Sequence, residues 1–369
     1  MNDTGTPLIT QVTYHAEYPR KLRVGFIGAG AHAFRNVYPT FAFAPVDLVA
    51  ICDLHPERAA NCARLFGARR TYSNHHEMLA VEKPELVFVV TNYDAQHLPV
   101  FPALAIDCLR AGAHVWIEKP PAGTSREVRE MMRVSSQTGR HVAVGFKKMF
   151  LPANLKAKAL STRPEFGRIT CITARYPQAL PPYEERADNR KMVAFLDHFV
   201  HPHSVLRLLG GPLESLFVTR SVSGAATVSL QFKSGAIGNL ILSHGQSSSS
   251  FFERTEVIGD GENVVVDNNL RVTLYRKGQR QEGYGRAGDY FDLTDEGSAP
   301  LFWEPEFSLG QLYNKGLFLL GYAPEVISYT TRLLDGQGPE RGTLEDALEI
   351  LLIYEAYRKP DGIVHAIGK

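Results

Sequence analysis

The sequence lacks most of what would tie it to a membrane, a nucleic acid or a disulfide framework. No stretch reaches about 18 uninterrupted apolar residues, so no membrane span is expected. Forty Lys and Arg face 39 Asp and Glu, a formal net charge of +1. That balance leaves no bulk attraction for nucleic acid or an anionic surface. Cysteine is scarce: Cys52, Cys62, Cys108 and Cys171 are scattered without C-x-x-C spacing. They read as small buried hydrophobes rather than a zinc frame or a disulfide scaffold. The first residues, MNDTGTPLITQVTYHAEYPRK, show no basic start followed by an apolar core. No secretory signal is read there, and a cytoplasmic location is expected. There is no internal repeat, and low complexity is confined to Ser247–Ser250.

What is present is ordinary globular composition, 44% hydrophobic and 21% charged over 369 residues, long enough for two domains. The most informative stretch is KLRVGFIGAGAHA, residues 21–33. An apolar run ends in Gly28-Ala29-Gly30-Ala31-His32-Ala33, a G-x-G-x-x-A pattern between an expected strand and an expected helix. Gly28 permits the tight turn, Gly30 lets a pyrophosphate approach the backbone, and Ala33 lets the helix pack on the sheet. A second apolar run, 46–52, ends in Asp53, 20 residues after Ala33, where a carboxylate can bind ribose hydroxyls. Strand, glycine turn, helix, strand and acid together read as a dinucleotide site. Asp53 favours NAD, because a carboxylate repels the 2′-phosphate of NADP; Arg58 nearby leaves NADP possible.

Residues 1–20 are polar and read as a tail. From 21 to 148 the pattern alternates strand and helix. Strands are expected at 22–27, 46–52, 86–91, 114–117 and 141–145, and helices at 31–43, 56–66, 74–80, 95–111 and 125–138. Ser73 and Thr124 are expected N-caps, and Gly112 and Gly139 expected stops. This predicts a doubly wound parallel sheet, a Rossmann dinucleotide-binding domain. Residues 149–369 read as an α+β domain with clustered, mostly antiparallel strands. Helices are expected at 152–160, through Leu209, and at 304–316, 323–335 and 344–358, the last capped by Thr343. Strands are expected at 168–176, 213–219, 225–232, 236–243, 251–258, 263–267 and 270–275.

Three groups of residues carry the expected chemistry. The strand at 114–117 ends in Glu118-Lys119-Pro120, and ligands of doubly wound sheets bind beyond the carboxyl ends of strands. The Lys119 ammonium there would stabilise an alkoxide. On a helix, Asp197 and His201 share a face, so that His201 serves as acid–base with Asp197 as its orienting carboxylate. Pro202 biases His201 away from helical angles. The histidines at 198, 201 and 203 lack metal-ligand spacing, and no metal is expected. Thr91, Asn92 and His97 are candidates for the nicotinamide side. Lys147 and Lys148 are candidates for the interdomain cleft, and Tyr176, Tyr183 and Arg186 for polar substrate contacts.

With VGFIGAGAHA, AICD, VTNYDAQH, AGAHVWIEKP, VGFKKMF and the D-x-x-x-H pair in place, the chain resembles the Gfo/Idh/MocA oxidoreductase family from about Lys21 onward. The resemblance implies a Rossmann domain followed by an α+β domain with a large open sheet, and an active site between them. It implies Lys119 as the catalytic lysine and Asp197 and His201 as the D-x-x-x-H pair. Gly28, Gly30, Ala31, His32, Ala33, Asp53, Thr91, Asn92, His97, Glu118 and Lys119 would hold the coenzyme. Lys119, Lys147, Tyr176, Asp197 and His201 would meet substrate. It implies NAD-dependent hydride transfer at a hydroxyl or ketone carbon of a sugar, cyclitol or sugar derivative, in a homodimer or homotetramer. Two alternatives stay open: net non-redox chemistry by transient oxidation, elimination or epimerisation and re-reduction, and a non-catalytic ligand sensor on the same fold. The glycine-rich run often found before the family's D-x-x-x-H is absent here, where the chain reads NRKMVAFLD. Lys147 and Lys148 stand where the family often has arginine.

Overall fold

Residues 22–27 and 46–52 are apolar at almost every position, as strands buried on both faces require. In the computed structural model, which describes residues 12–277, 299–309, 312 and 314–368, they form the centre of a six-stranded parallel sheet. Its strands are β1 (Leu22–Ile27), β2 (Val46–Cys52), β3 (Arg70–Tyr72), β4 (Leu86–Val89), β5 (His114–Ile117) and β6 (Val142–Val144), in the order β3-β2-β1-β4-β5-β6. That is the order of a dinucleotide-binding sheet, with its crevice where the winding reverses between β1 and β4. Helices α1 (Pro56–Phe66), α2 (His75–Glu82), α3 (Phe101–Arg110) and α4 (Ser125–Thr138) connect the strands. Residues 1–11 of the expected tail lie outside the described residues.

Three local departures follow from side-chain chemistry. The helix expected over 31–43 is instead a π-type turn, Ala33–Val37, followed by a 3₁₀ segment, Tyr38–Phe43. Pro39 lacks the N–H that an α-helix would use there. Tyr38 stacks on Phe26 with ring centroids 4.0 Å apart, and its hydroxyl donates to the Gly28 carbonyl at 2.9 Å. The cap of α2 is Asn74 rather than Ser73, its side chain accepting from the His76 N–H. The helix expected from 95 starts at Phe101, because His97 has φ +59° in the turn before it and Pro99 disfavours helical angles in Leu98. Strand β3 is a largely exposed edge with no apolar run to reveal it.

The rest of the chain is α5 (Pro152–Ser161), β7 (Cys171–Tyr176), α6 (Asn189–Gly210), β8 (Leu213–Arg220), β9 (Ala226–Phe232), β10 (Ile237–Leu242), β11 (Arg254–Ile258), β12 (Asn263–Asp267), β13 (Arg271–Tyr275), β14 (Leu301–Trp303), α7 (Pro305–Leu309), α8 (Lys315–Leu319), α9 (Tyr322–Leu334), α10 (Leu344–Tyr357) and β15 (Val364–Ala366). Its nine strands run β14-β13-β12-β11-β7-β10-β9-β8-β15. All pairs are antiparallel except β7 with β10. Strand β9 shows how the sheet meets its core: Ala226, Val228, Leu230 and Phe232 are buried while Thr227, Ser229 and Gln231 are exposed. The short edge strands β14 and β15 were not foreseen, and of the helix expected over 304–316 the described residues show α7 and the start of α8. Helix α9 packs Val326, Tyr329 and Leu333 against the core of the first sheet, beside Trp116.

Helix α6 runs unbroken through Pro202, which only leaves the His198 carbonyl without its usual helical donor. Asp197 and His201 therefore do lie on one face. Arg186 is not a substrate contact. It is fully buried, pairs both guanidinium ends with Asp361 at 2.7 Å, and donates to the Tyr357 carbonyl at 3.0 Å. It locks the loop before α6 to the end of α10. Among the described residues, no helix is long and apolar enough to cross a membrane.

Candidate active site

The glycine turn opens onto a groove of about 580 Å³, lined by Gly28, Gly30, Asp53, Arg58, Thr91 and Asn92 among others. That volume falls in the ordinary range for small-molecule sites. Gly28 has φ +111°, and a Cβ there would lie 1.9 Å from the Val90 carbonyl oxygen, so only glycine fits. A Cβ on Gly30 would meet nothing within 4 Å. The backbone there faces open space of the kind a pyrophosphate needs. Ala33 is fully buried against the sheet, as its small side chain implied, whereas Ala31 is exposed. Asp53 sits at the end of β2, where its carboxylate accepts from the Ala29 N–H at 2.7 Å and the His55 N–H at 2.8 Å. These bonds fix the carboxylate along the groove. The residues present therefore fit NAD on the observations at Gly30 and Asp53.

A second cavity, about 210 Å³, shares Val90, Thr91, Asn92 and Tyr93 with the groove and continues to His32, Glu118, Lys119 and Asp197. Lys119 stands two residues past the end of β5, while Asp197 comes from α6, and their side chains meet in this cavity. The Lys119 Nζ donates to Asp197 Oδ1 at 2.8 Å, and the Tyr93 hydroxyl donates to the same oxygen at 2.9 Å. Burial alone would raise the Asp197 pKa, but the Lys119 ammonium and the Tyr93 hydroxyl outweigh it and hold the carboxyl below its usual value. Asp197 was expected to orient His201. Among the described residues no hydrogen bond joins them, because the carboxylate is turned toward the opposite charge of Lys119. Glu118 is buried and receives the His32 ring at 2.9 Å. His32 also contacts Asn36 at 3.1 Å.

Around His201 the chain gathers cations and rings. Its ring lies 6.4 Å from that of Tyr176 and 6.3 Å from that of His198. Burial pushes its pKa well below the ordinary histidine value, and the ammonium groups of Lys148, Lys119 and Lys147 push in the same direction. His201 is thus neutral at pH 7, with both burial and the lysines disfavouring its protonated form. Lys148 is buried, pairs closely with Glu253, and lies 4.8 Å over the Tyr176 ring. Lys147 donates to the Tyr322 hydroxyl at 3.1 Å and lies 4.3 Å over its ring. Burial lowers the Lys147 pKa, and Lys148 adds to the effect.

Gly28, Gly30, His32, Asp53, Thr91, Asn92, Glu118, Lys119 and Asp197 line the two cavities; Ala31, Ala33, Lys147, Tyr176 and His201 line neither, and nor does His97. His97 is exposed and has φ +59° in the turn before α3. Tyr183 is also largely exposed. Sequence reading missed Tyr93, Glu253 and Tyr322 as site neighbours. Tyr93 carried a usable signal, since it directly follows Thr91 and Asn92 at a strand's carboxyl end. Glu253 and Tyr322 carried none, because only the tertiary fold brings them to the lysines.

Residues 22–146 match the oxidoreductase family with an NAD-binding Rossmann fold, and residues 154–265 match the GFO/IDH/MocA C-terminal domain. The myo-inositol 2-dehydrogenase of Thermotoga maritima is 25% identical over 267 residues, 69% of this chain and 77% of that protein. An Agrobacterium radiobacter oxidoreductase, crystallised with NAD⁺, L-tartaric acid and magnesium, superposes with a TM-score of 0.72 at 15% identity, covering 94% of this chain and 98% of that one. The WlbA dehydrogenase of Bordetella pertussis, in complex with NADH and UDP-GlcNAcA, gives 0.67 at 20% identity, covering 95% and 100%.

Proposed function

Given that the chain belongs to the Gfo/Idh/MocA family of NAD-binding oxidoreductases, we propose that it moves hydride between NAD and a secondary hydroxyl or ketone carbon of a sugar, cyclitol or sugar derivative. The observation that carries this reading is the Lys119–Asp197 pair in the cavity that shares its wall with the coenzyme groove, with His201 four residues along α6 from Asp197. Bound NAD supplies the hydride acceptor for alcohol oxidation and the donor for the reverse. The chain's own groups handle the remaining charge and proton. Neutral His201 takes the hydroxyl proton at a ring nitrogen, and the Lys119 ammonium stabilises the oxygen as negative charge develops. Asp197 aims the Lys119 ammonium, and Tyr93 holds Asp197. Asp53, with both oxygens anchored by backbone N–H groups, receives the adenosine ribose hydroxyls. The Thermotoga relative is named for a cyclitol substrate, which supports the polyol class. The test is a panel of sugars, cyclitols and their keto forms followed by NADH absorbance, with NADP in parallel. Coenzyme binding without turnover across the panel would refute the reading.

A further inference from the structure

Two adjacent histidines open α2, and the fold brings a carboxylate to both. His75 and His76 follow the Asn74 cap, with ring centroids 4.0 Å apart and planes inclined by 36°. Asp107 reaches them from α3: its Oδ2 lies 3.0 Å from His75 Nε2 and 3.7 Å from His76 Nε2. One donor atom from each of the three residues falls within 4.8 Å of the others, the one such group among the described residues. Ligands of a tetrahedral zinc with bonds near 2.0–2.1 Å stand about 3.3 Å apart, and the two measured separations bracket that spacing. A plain histidine–carboxylate pair accounts for His75 alone; it does not account for His76 converging on the same oxygen. The amino end of α2 is the unfavourable pole for a cation, and Asp107 supplies the compensating charge. His75 also lines the coenzyme groove, beside Ser73 and His55.

We propose that His75, His76 and Asp107 bind a divalent transition metal, zinc by their donor set, at the edge of the coenzyme groove. Three protein ligands leave a fourth position for water. The imidazoles bind metal in their neutral form and the Asp107 carboxylate in its ionised form. Because His75 belongs to both sites, metal and coenzyme change each other's affinity by the same factor.

The test is calorimetric titration of the full chain with zinc chloride. One zinc per chain is expected, with affinity at least about tenfold weaker in His76→Ala and in Asp107→Asn. Absence of one-to-one binding overturns the proposal, and so does a one-to-one site that both variants retain, which would put the metal elsewhere. His76 is exposed, so its removal leaves the core intact, as a melting curve verifies. NADH fluorescence titrations with and without zinc read the coupling. A zinc-dependent Kd in the wild type that becomes zinc-independent in His76→Ala supports it, and an unchanged wild-type Kd refutes it.

Discussion

Acidification should loosen the helix that carries Asp197 and His201, and His203 sets the size of the effect. His203 is buried on α6; its Nε2 meets the Tyr357 hydroxyl at 3.0 Å, and its Nδ1 is buried with no partner. A second ring proton would have no acceptor, and burial alone lowers the pKa to about 3. The folded value thus lies below the unfolded value of about 6.5, so the unfolded chain binds the extra proton as pH falls. Stability from this group is complete above about pH 6.5 and declines below it, until about pH 3. Between pH 7 and pH 5 the loss integrates to about 2 kcal/mol, a sizeable share of a typical folding free energy. Equilibrium urea unfolding followed by circular dichroism at both pH values measures it. In His203→Gln, which keeps a polar partner for Tyr357, the acid-induced loss should shrink by about that amount. If wild type and variant lose the same stability between the two pH values, the reasoning about His203 fails.

Four further outcomes follow from the site. Lys119→Met should lower turnover by about 10² to 10³, the usual loss for one charge-stabilising donor, as steady-state NADH kinetics would read. Asp53→Ala should weaken NAD binding by about 10- to 100-fold, corresponding to charged hydrogen bonds lost, with a smaller effect on NADP; fluorescence titration checks both. Since the His201 pKa is depressed, kcat/KM should stay level through neutral pH and fall only on the acid side, below about 6.5, and His201→Asn should abolish most activity together with that limb. Gly28→Ala forces a Cβ against Val90 at φ +111° and should cost more than about 2 kcal/mol, seen as a lower melting temperature and lost coenzyme binding.

The coenzyme half was legible because its signals are local. Parallel strands buried on both faces read as apolar runs, and the Gly28 turn and Asp53 keep fixed spacings from them. Lys119 was legible for the same reason, as a strand-end residue next to a proline. Edge strands β3, β14 and β15 were not: each spans only three residues, too few for a periodic trace, and β14 and β15 expose Leu301, Phe302 and Val364 while β15 buries His365. The segment after the glycine turn was misjudged because Tyr38 packing and Pro39 override a helical pattern. The role of Asp197 was also beyond sequence. Helical spacing put it on one face with His201, but a carboxylate turns toward the nearest ammonium, and that of Lys119 arrives from 78 residues away. Arg186 looked like an exposed loop cation until Asp361 and the end of α10 enclosed it.

The place of β7 in the second sheet constrains how this chain is made. Synthesised before its neighbours, it lies between β10 and β11, whose residues emerge some 60 to 80 positions later, and β15 cannot add to the β8 edge of the sheet until residues 364–366 appear. A ribosome-bound chain therefore holds an open template strand while the first half is already able to close on itself. Non-local pairing of this kind folds slowly and leaves apolar surface uncovered in the interval. Loss of β15 would leave β8 as an unprotected rim, a defect of self-association long before one of chemistry.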